Sequence, residues 1–216
     1  MLQRGILIEP KNIEQLNQSK RLGAIFLRLI LLWVGIYLII NNESVYAGDL
    51  AKPTIKQQSM NPAAPPESHH FGRLVGEWKI TDWSIDAQGK RQDGPGANWN
   101  FYWILGGSAI QDDWISPGYD KPVPEKGRQF GTNIRIYNPK SKLWEMAWMS
   151  NSGAKLDTFK ANGTEKEMVM RGVYNGAETK ITFYDIETDQ FSWKMEKLQG
   201  TEQWKVVYRI EAKRVK

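Results

Sequence analysis

The sequence predicts an all-β fold, an up-and-down antiparallel β-barrel of about ten strands. The main evidence is an alternation of apolar and polar residues with a period of two, which begins at Gly76 and continues almost to the end of the chain. Turn-forming residues interrupt this alternation about every 10–12 residues, and no segment carries a convincing helical period. Connections this short join strands that are neighbours in a sheet, so the pattern favours a closed meander. A β-sandwich is the alternative, but it needs longer crossings that this chain mostly lacks.

The N-terminal residues 1–47 are predicted to be a secretory signal peptide. This segment holds five basic and three acidic residues, and an apolar run of 12 residues occupies positions 29–40. Small side chains at Val45 and Ala47 precede Gly48, a pattern that favours cleavage after Ala47. An uncleaved anchor is the alternative, but the run is shorter than the roughly 20 residues that span a bilayer. We therefore expect an exported protein, periplasmic or secreted, with no membrane attachment after cleavage.

A flexible linker is predicted to follow at residues 48–68. It contains four Pro and no aromatic residue, so it cannot bury enough apolar surface to offset the entropy of ordering it. The folded domain is expected at residues 69–216, beginning with a short helical turn before the first strand.

Ten strands are predicted within this domain, separated by turn residues. Asn162-Gly163 and Asn175-Gly176 are the strongest hairpin signals. The predicted strands are residues 77–85, 97–105, 108–115, 128–137, 142–150, 155–161, 167–174, 178–185, 190–198 and 203–213.

Rows of large apolar side chains recur on one face of these strands and predict the barrel interior. The clearest rows are Trp99, Phe101 and Trp103; Trp144, Met146 and Trp148; Phe191, Trp193 and Met195; and Trp204, Val206, Tyr208 and Ile210.

The composition excludes several classes of function. Cys is absent, so the chain has no disulfides, thiolate nucleophile or Cys-ligated metal. The two His, His69 and His70, are adjacent, which argues against multi-His metal sites and Ser-His-Asp catalysis. The net charge of +5 falls to +3 without residues 1–47, and no run of five Lys or Arg occurs. We expect no metal site and no nucleic-acid partner.

Two features resemble the lipocalin-type barrels. Gly76 and Trp78 open the first strand as Gly-x-Trp, and Arg209 lies in the final strand. In lipocalin-type barrels such a Trp closes the barrel base and a late Arg packs across its ring. The resemblance therefore implies a structural contact between Trp78 and Arg209.

Four further motifs resemble the bacterial domain of unknown function 1579 family, in the order expected of it. They are LGGS at 105–108, GTNIRIYNP at 131–139, WMS at 148–150 and FSW at 191–193. The resemblance covers about residues 69–213 and implies a lipocalin-like, calycin-type barrel with no established activity. A more distant similarity is to the haem-binding nitrobindin-like barrels, whose axial His is a late-strand residue. Residues 71–216 contain no His, so we expect no cofactor.

The interior of a ten-stranded barrel is either a ligand cavity or a core filled by the many Trp side chains, and the strand number favours a cavity. The predicted ligand-binding residues either occupy the alternate strand positions that face inward or carry a charge next to such a position. They are Trp99, Trp103, Asp112, Arg135, Trp148, Trp193 and Tyr208. Asp112 has the parity of its apolar neighbours, and its partner would be Arg135 or Arg171, unless these face solvent. Either Arg is suited to bind a ligand carboxylate through two hydrogen bonds.

Three functions are compatible with this sequence. The leading hypothesis is an exported carrier or sensor of a small apolar or amphipathic molecule. The second is a barrel enzyme of the isomerase, cyclase or hydrolase type, using Asp112 with Tyr102 or Tyr208. The third is a structural or interaction module with a filled core. Because the sequence shows no convergent catalytic constellation, no residue is predicted to be catalytic.

Cleavage of the signal peptide is directly measurable. We expect the intact mass of the exported protein to correspond to a chain that begins at Gly48, because small residues precede that position. A full-length chain recovered in the membrane fraction would contradict this expectation.

Overall fold

The computed structural model describes residues 58–216, in which one antiparallel sheet closes into a barrel. Each long strand pairs with the next long strand along the chain, and the last pairs with the first, so ten strands surround the interior. The predicted signal peptide and residues 48–57 of the predicted linker lie outside the described residues. Among the residues described, no helix is both long and apolar enough to cross a membrane.

The ten predicted strands are all present, with boundaries within two residues of the expected ones. The structure adds a short, exposed strand at Arg91–Asp93, which pairs with the end of the first strand and has no apolar alternation to predict it. The strands are β1 (Gly76–Ile85), β2 (Arg91–Asp93), β3 (Ala97–Ile104), β4 (Ala109–Ser116), β5 (Gln129–Asn138), β6 (Leu143–Ser150), β7 (Leu156–Gly163), β8 (Met168–Tyr174), β9 (Ala177–Tyr184), β10 (Gln190–Gln199) and β11 (Gln203–Arg214).

One end of the barrel is filled by side chains. A one-turn helix, α1 (His69–Gly72), precedes β1 and inserts Phe71 between the rings of Trp144 and Phe183, at centroid distances of 5.0 and 5.6 Å. Trp78 packs against Phe191 at 4.6 Å in the same region. We call this region the closed end of the barrel. The helix α1 confirms the short helical turn expected before the first strand.

The predicted linker extends too far along the chain. Residues from Gln58 already contact the barrel: Gln58 forms a β-bridge with Trp103, and the Asn61 N–H donates to the Gly107 carbonyl at 3.0 Å. A Cβ at Gly107 would collide with the backbone of Ser59 and Asn61, so a glycine is needed for this approach. These contacts are made by the backbone and need no apolar side chains, so the low apolar content of the segment could not indicate them.

A β-bulge in β11 corrects the last predicted inward row. Tyr208 pairs with Met195, but Val206 pairs with Glu196, which leaves Val207 as an extra residue. Directly opposed residues share a face, so Trp204 lies on the outer face with its partner Leu198. Tyr208 and Ile210 point inward as expected, whereas Trp204 and Val206 do not, because the bulge reverses the alternation before it.

The expected contact between Trp78 and Arg209 is wrong, and Arg214 takes that role. In the β1–β11 ladder Trp78 is opposite Arg214, while Arg209 is opposite Trp83. The Arg214 guanidinium lies 4.1 Å from the Trp78 ring centroid and donates to the Val75 and Arg73 carbonyls at 2.7 and 3.0 Å. The alternation that turns Tyr208 and Ile210 inward places Arg209 on the outer face.

The Gly-x-Trp motif has a steric reason in this structure. Gly76 has φ +135°, and a Cβ there would collide with the Arg214 guanidinium. Trp78 is fully buried, and its indole N–H donates to the Leu74 carbonyl at 2.7 Å. Gly76 thus makes room for the arginine that covers the buried tryptophan.

Two substitutions measure the strength of this closure. Trp78→Ala should lower the free energy of unfolding by about 3–5 kcal/mol, the range for truncating a buried Trp. Arg214→Ala should cost at least about 1.5 kcal/mol more than Arg209→Ala, whose described hydrogen bond is one contact with the Tyr184 hydroxyl. Urea unfolding of the three variants gives both values, and equal costs for the two arginine variants would contradict the assignment.

Candidate functional site

The half of the barrel opposite the closed end contains a cavity of about 440 Å³. A volume of this size is within the usual range for small-molecule sites. Eight aromatic side chains line it: Trp99, Trp114, Trp148, Phe159, Tyr174, Phe183, Trp193 and Tyr208. Met170, Ile181, Met195, Val207 and Ile210 add aliphatic surface, and the remaining lining residues are Gln129, Asn133, Arg135 and Lys197. The interior is therefore filled at one end and open at the other.

A buried ion pair lies between the cavity and the closed end. The Arg135 Nη1 group donates to Asp112 Oδ2, and the Trp99 indole N–H donates to Asp112 Oδ1 at 2.8 Å. Asp112 and Arg135 have no exposed surface. Burial raises the pKa of Asp112 and lowers the pKa of Arg135, and the charge of each partner opposes the shift of the other.

Aromatic rings hold the Arg135 guanidinium in place. Its central carbon lies 5.0 Å from the ring centroid of Phe71 and 5.2 Å from that of Phe101. Such cation–π contacts are stronger where water is excluded. Nε and Nη2 of Arg135, and Oδ1 of the neighbouring Asn133, find no hydrogen-bond partner within residues 58–216. Two of the three guanidinium nitrogens, Nε and Nη2, thus donate no hydrogen bond within the described residues.

Tyr208 forms a second polar contact at the cavity wall. Its hydroxyl donates to Asp82 Oδ2, while Asp82 Oδ1 accepts the Gly96 N–H at 2.7 Å. Burial and the contact with Asp82 raise the pKa of Tyr208, so the hydroxyl keeps its proton at neutral pH. Asp82 is buried and anchors the loop before β3, and it does not line the cavity.

The structure brings five of the seven predicted ligand-binding residues to this cavity: Trp99, Arg135, Trp148, Trp193 and Tyr208. Asp112 lies behind the wall and supports Trp99 and Arg135. Trp103 is a correction: it points inward but packs at the closed end, where a Cβ at Gly72 would strike its ring. The inward face of Trp103 was predictable from the alternation, whereas its height along the barrel was not.

Two alternatives that the sequence left open now have an answer. The partner of Asp112 is Arg135, since Arg171 lies on the outer wall with its guanidinium 5.4 Å from the Trp204 ring. The barrel-enzyme alternative would use Asp112 with Tyr102 or Tyr208, but these hydroxyls bond to other acids: Tyr102 donates to Asp113 on the outside at 2.9 Å and Tyr208 to Asp82.

Sequence reasoning missed Asp82 and Asn133, although a signal for both was present. Asp82 has the parity of Trp78 and Ile80, and Asn133 has the parity of Arg135. Gly131 also belongs to the site, because a Cβ there would overlap the Trp148 ring at the cavity wall. Glycines and polar residues do not contribute to an alternation of apolar side chains, so the alternation alone did not indicate these positions.

Comparison with known proteins supports the fold. The crystal structure of Rv2717c from M. tuberculosis is similar with a TM-score of 0.50 and 10% sequence identity, over 71% of this chain and 99% of that chain. The S-type phycobiliprotein lyase CPES from Guillardia theta is similar with a TM-score of 0.46 and 10% identity, over 68% of this chain and 92% of that chain. No protein family and no curated protein matches the sequence, so the resemblance to the domain of unknown function 1579 family stays a prediction.

A double-mutant cycle tests the buried ion pair. Asp112→Asn keeps an acceptor for Trp99 but leaves Arg135 without its counter-charge, and should cost about 3–5 kcal/mol of unfolding free energy. Arg135→Met should also be destabilising. The double variant should be more stable than the sum of the two costs allows, by roughly 0.5–3 kcal/mol, because neither charge is then left alone. Urea unfolding measures all four proteins, and additive costs would refute the coupling.

Proposed function

We propose that this protein is an exported carrier or sensor that binds a small apolar or amphipathic molecule inside its barrel. The observation that carries the proposal is the cavity of about 440 Å³ lined by eight aromatic side chains. Removing a ligand's apolar surface from water contributes roughly 25 cal/mol per Å². The export and the likeness to the domain of unknown function 1579 family, both expected from the sequence, form part of this proposal.

Binding has more support than catalysis in this cavity. Tyr208 holds its proton too firmly to act as an acid or base near neutral pH. Asp112, the other candidate, does not line the cavity and is already bonded to Trp99 and Arg135. A filled-core module has less support as well, since side chains fill the closed end and leave the opposite half open.

The proposal is tested by adding a panel of fatty acids, aromatic acids and tetrapyrroles to the exported protein. Trp99, Trp114, Trp148 and Trp193 line the cavity. A bound ligand should therefore quench or blue-shift their fluorescence, saturate at one ligand per chain, and raise the melting temperature by mass action.

A matched pair of tryptophan variants locates the binding site. Trp148→Ala removes a ring from the cavity wall, whereas Trp83→Ala removes one from the outer face, where Arg91 covers it at 4.0 Å. Affinity should fall in the first variant and stay unchanged in the second. If the whole panel changes neither fluorescence nor melting temperature, the carrier proposal fails.

A further inference from the structure

We propose that the ligand of this cavity is a monocarboxylate, bound with its carboxylate inward against the Nε–Nη2 edge of Arg135. This inference rests on the proposed function, because it names the chemical class of the molecule that the barrel would carry. Two independent observations support it: the unpaired donors of Arg135 and the signs of the charges around the cavity.

One edge of the buried Arg135 guanidinium has no hydrogen-bond partner within the described residues. Nη1 is bonded to Asp112, whereas Nε and Nη2 have no partner within residues 58–216. Nε and Nη2 are the two adjacent nitrogens on one side of a guanidinium, and their N–H groups are parallel. This fork matches the two oxygens of a carboxylate. Leaving charged donors buried without acceptors is costly, and a ligand carboxylate would remove that cost.

The charges that line the cavity have one sign. Arg135 and Lys197 are the charged residues among its described lining, and both are cations. Three buried acidic residues face inward without lining the cavity, and each is bonded to a protein donor or cation: Asp112, Asp82 and Asp157. An anionic ligand is therefore favoured over a cationic one.

The inner position is favoured over the mouth for the carboxylate. Arg135 is fully buried among rings, where a charge-assisted hydrogen bond is stronger than in water. Lys197 lies near the outer end of β10, where water weakens ion pairs. Because the guanidinium has no accessible surface, the carboxylate must displace a neighbouring side chain at the cavity floor.

Paired probes that differ only in the carboxylate test this inference in the native protein. The pairs are dodecanoate with dodecan-1-ol, and naphthalene-2-carboxylate with naphthalene-2-methanol, titrated by tryptophan fluorescence at neutral pH. At least one acid should bind about tenfold or more tighter than its alcohol, the difference expected for hydrogen bonds between charged groups. This comparison needs no variant and so does not depend on the folding of one.

Two variants then locate the carboxylate. Arg135→Lys keeps the cation but removes the fork, and should abolish most of the preference for the acid. Lys197→Met removes the other cation of the lining and should reduce the preference much less than Arg135→Lys does, because Lys197 is only half-buried and water weakens its ion pairs. Circular dichroism checks that each variant keeps the barrel fold.

Each outcome has a distinct meaning. Equal affinity for acid and alcohol in both pairs would overturn the inference and leave the carrier proposal standing. Loss of the acid preference in Lys197→Met, with Arg135→Lys unaffected, would place the carboxylate at the mouth and also overturn it. If no member of either pair and no member of the wider panel binds, the carrier proposal fails and this inference fails with it.

Discussion

The pairing of the first long strand with the last creates the interior on which every other feature depends. Residues 78–84 of β1 pair in sequence with residues 214–208 of β11, and this ladder turns an open meander into a closed wall. Closure removes the two edges that a sheet would otherwise expose. It also fixes the number of strands at ten. Side chains can fill the interior of an eight-stranded barrel, whereas ten strands enclose more space. The protein fills one half of this space with α1 and its ring cluster and leaves the other half open.

The alternation of side chains made the barrel predictable. Strand positions and inward faces follow from the period of two, and so did the inward placement of Trp99, Trp148, Trp193 and Asp112. Height along the barrel was not predictable in the same way, because strand tilt and register decide whether an inward residue reaches the closed end or the cavity. Trp103 shows this limit, since it has the expected face but lies beside Gly72.

Long-range pairing explains the other differences from expectation. Which arginine covers Trp78 depends on the register of β1 against β11, strands separated by most of the chain. The partner of Asp112 depends in the same way on which cation faces inward, and alternation within β5 alone could not show that Arg135 does so between two isoleucines that face out. Local pattern specifies a strand, and the contacts between strands specify the site.

The ion pair of Asp112 and Arg135 has an energetic cost that an apolar pair of the same size would not have. Buried ion pairs are often no more stabilising than well-packed apolar side chains. A guanidinium in the middle of a ring cluster is therefore weak evidence for stability, and its place beside a cavity is consistent with a role in recognition. The filled end of the barrel offsets the desolvation cost of the ion pair, because the rings around Trp78 and Phe71 supply packing that the cavity half lacks.

The bulge at Val207 has a consequence for how this barrel could change over evolution. Because the extra residue gives the inner wall two consecutive side chains, Val207 and Tyr208 both reach the cavity. Losing one residue at this point would restore a regular ladder without moving Trp204 from the outer face, and the rest of the strand would keep its partners. Cavity shape at this wall is thus set by the length of the chain as well as by the identity of its side chains. An insertion or deletion here would therefore change the shape of the cavity wall.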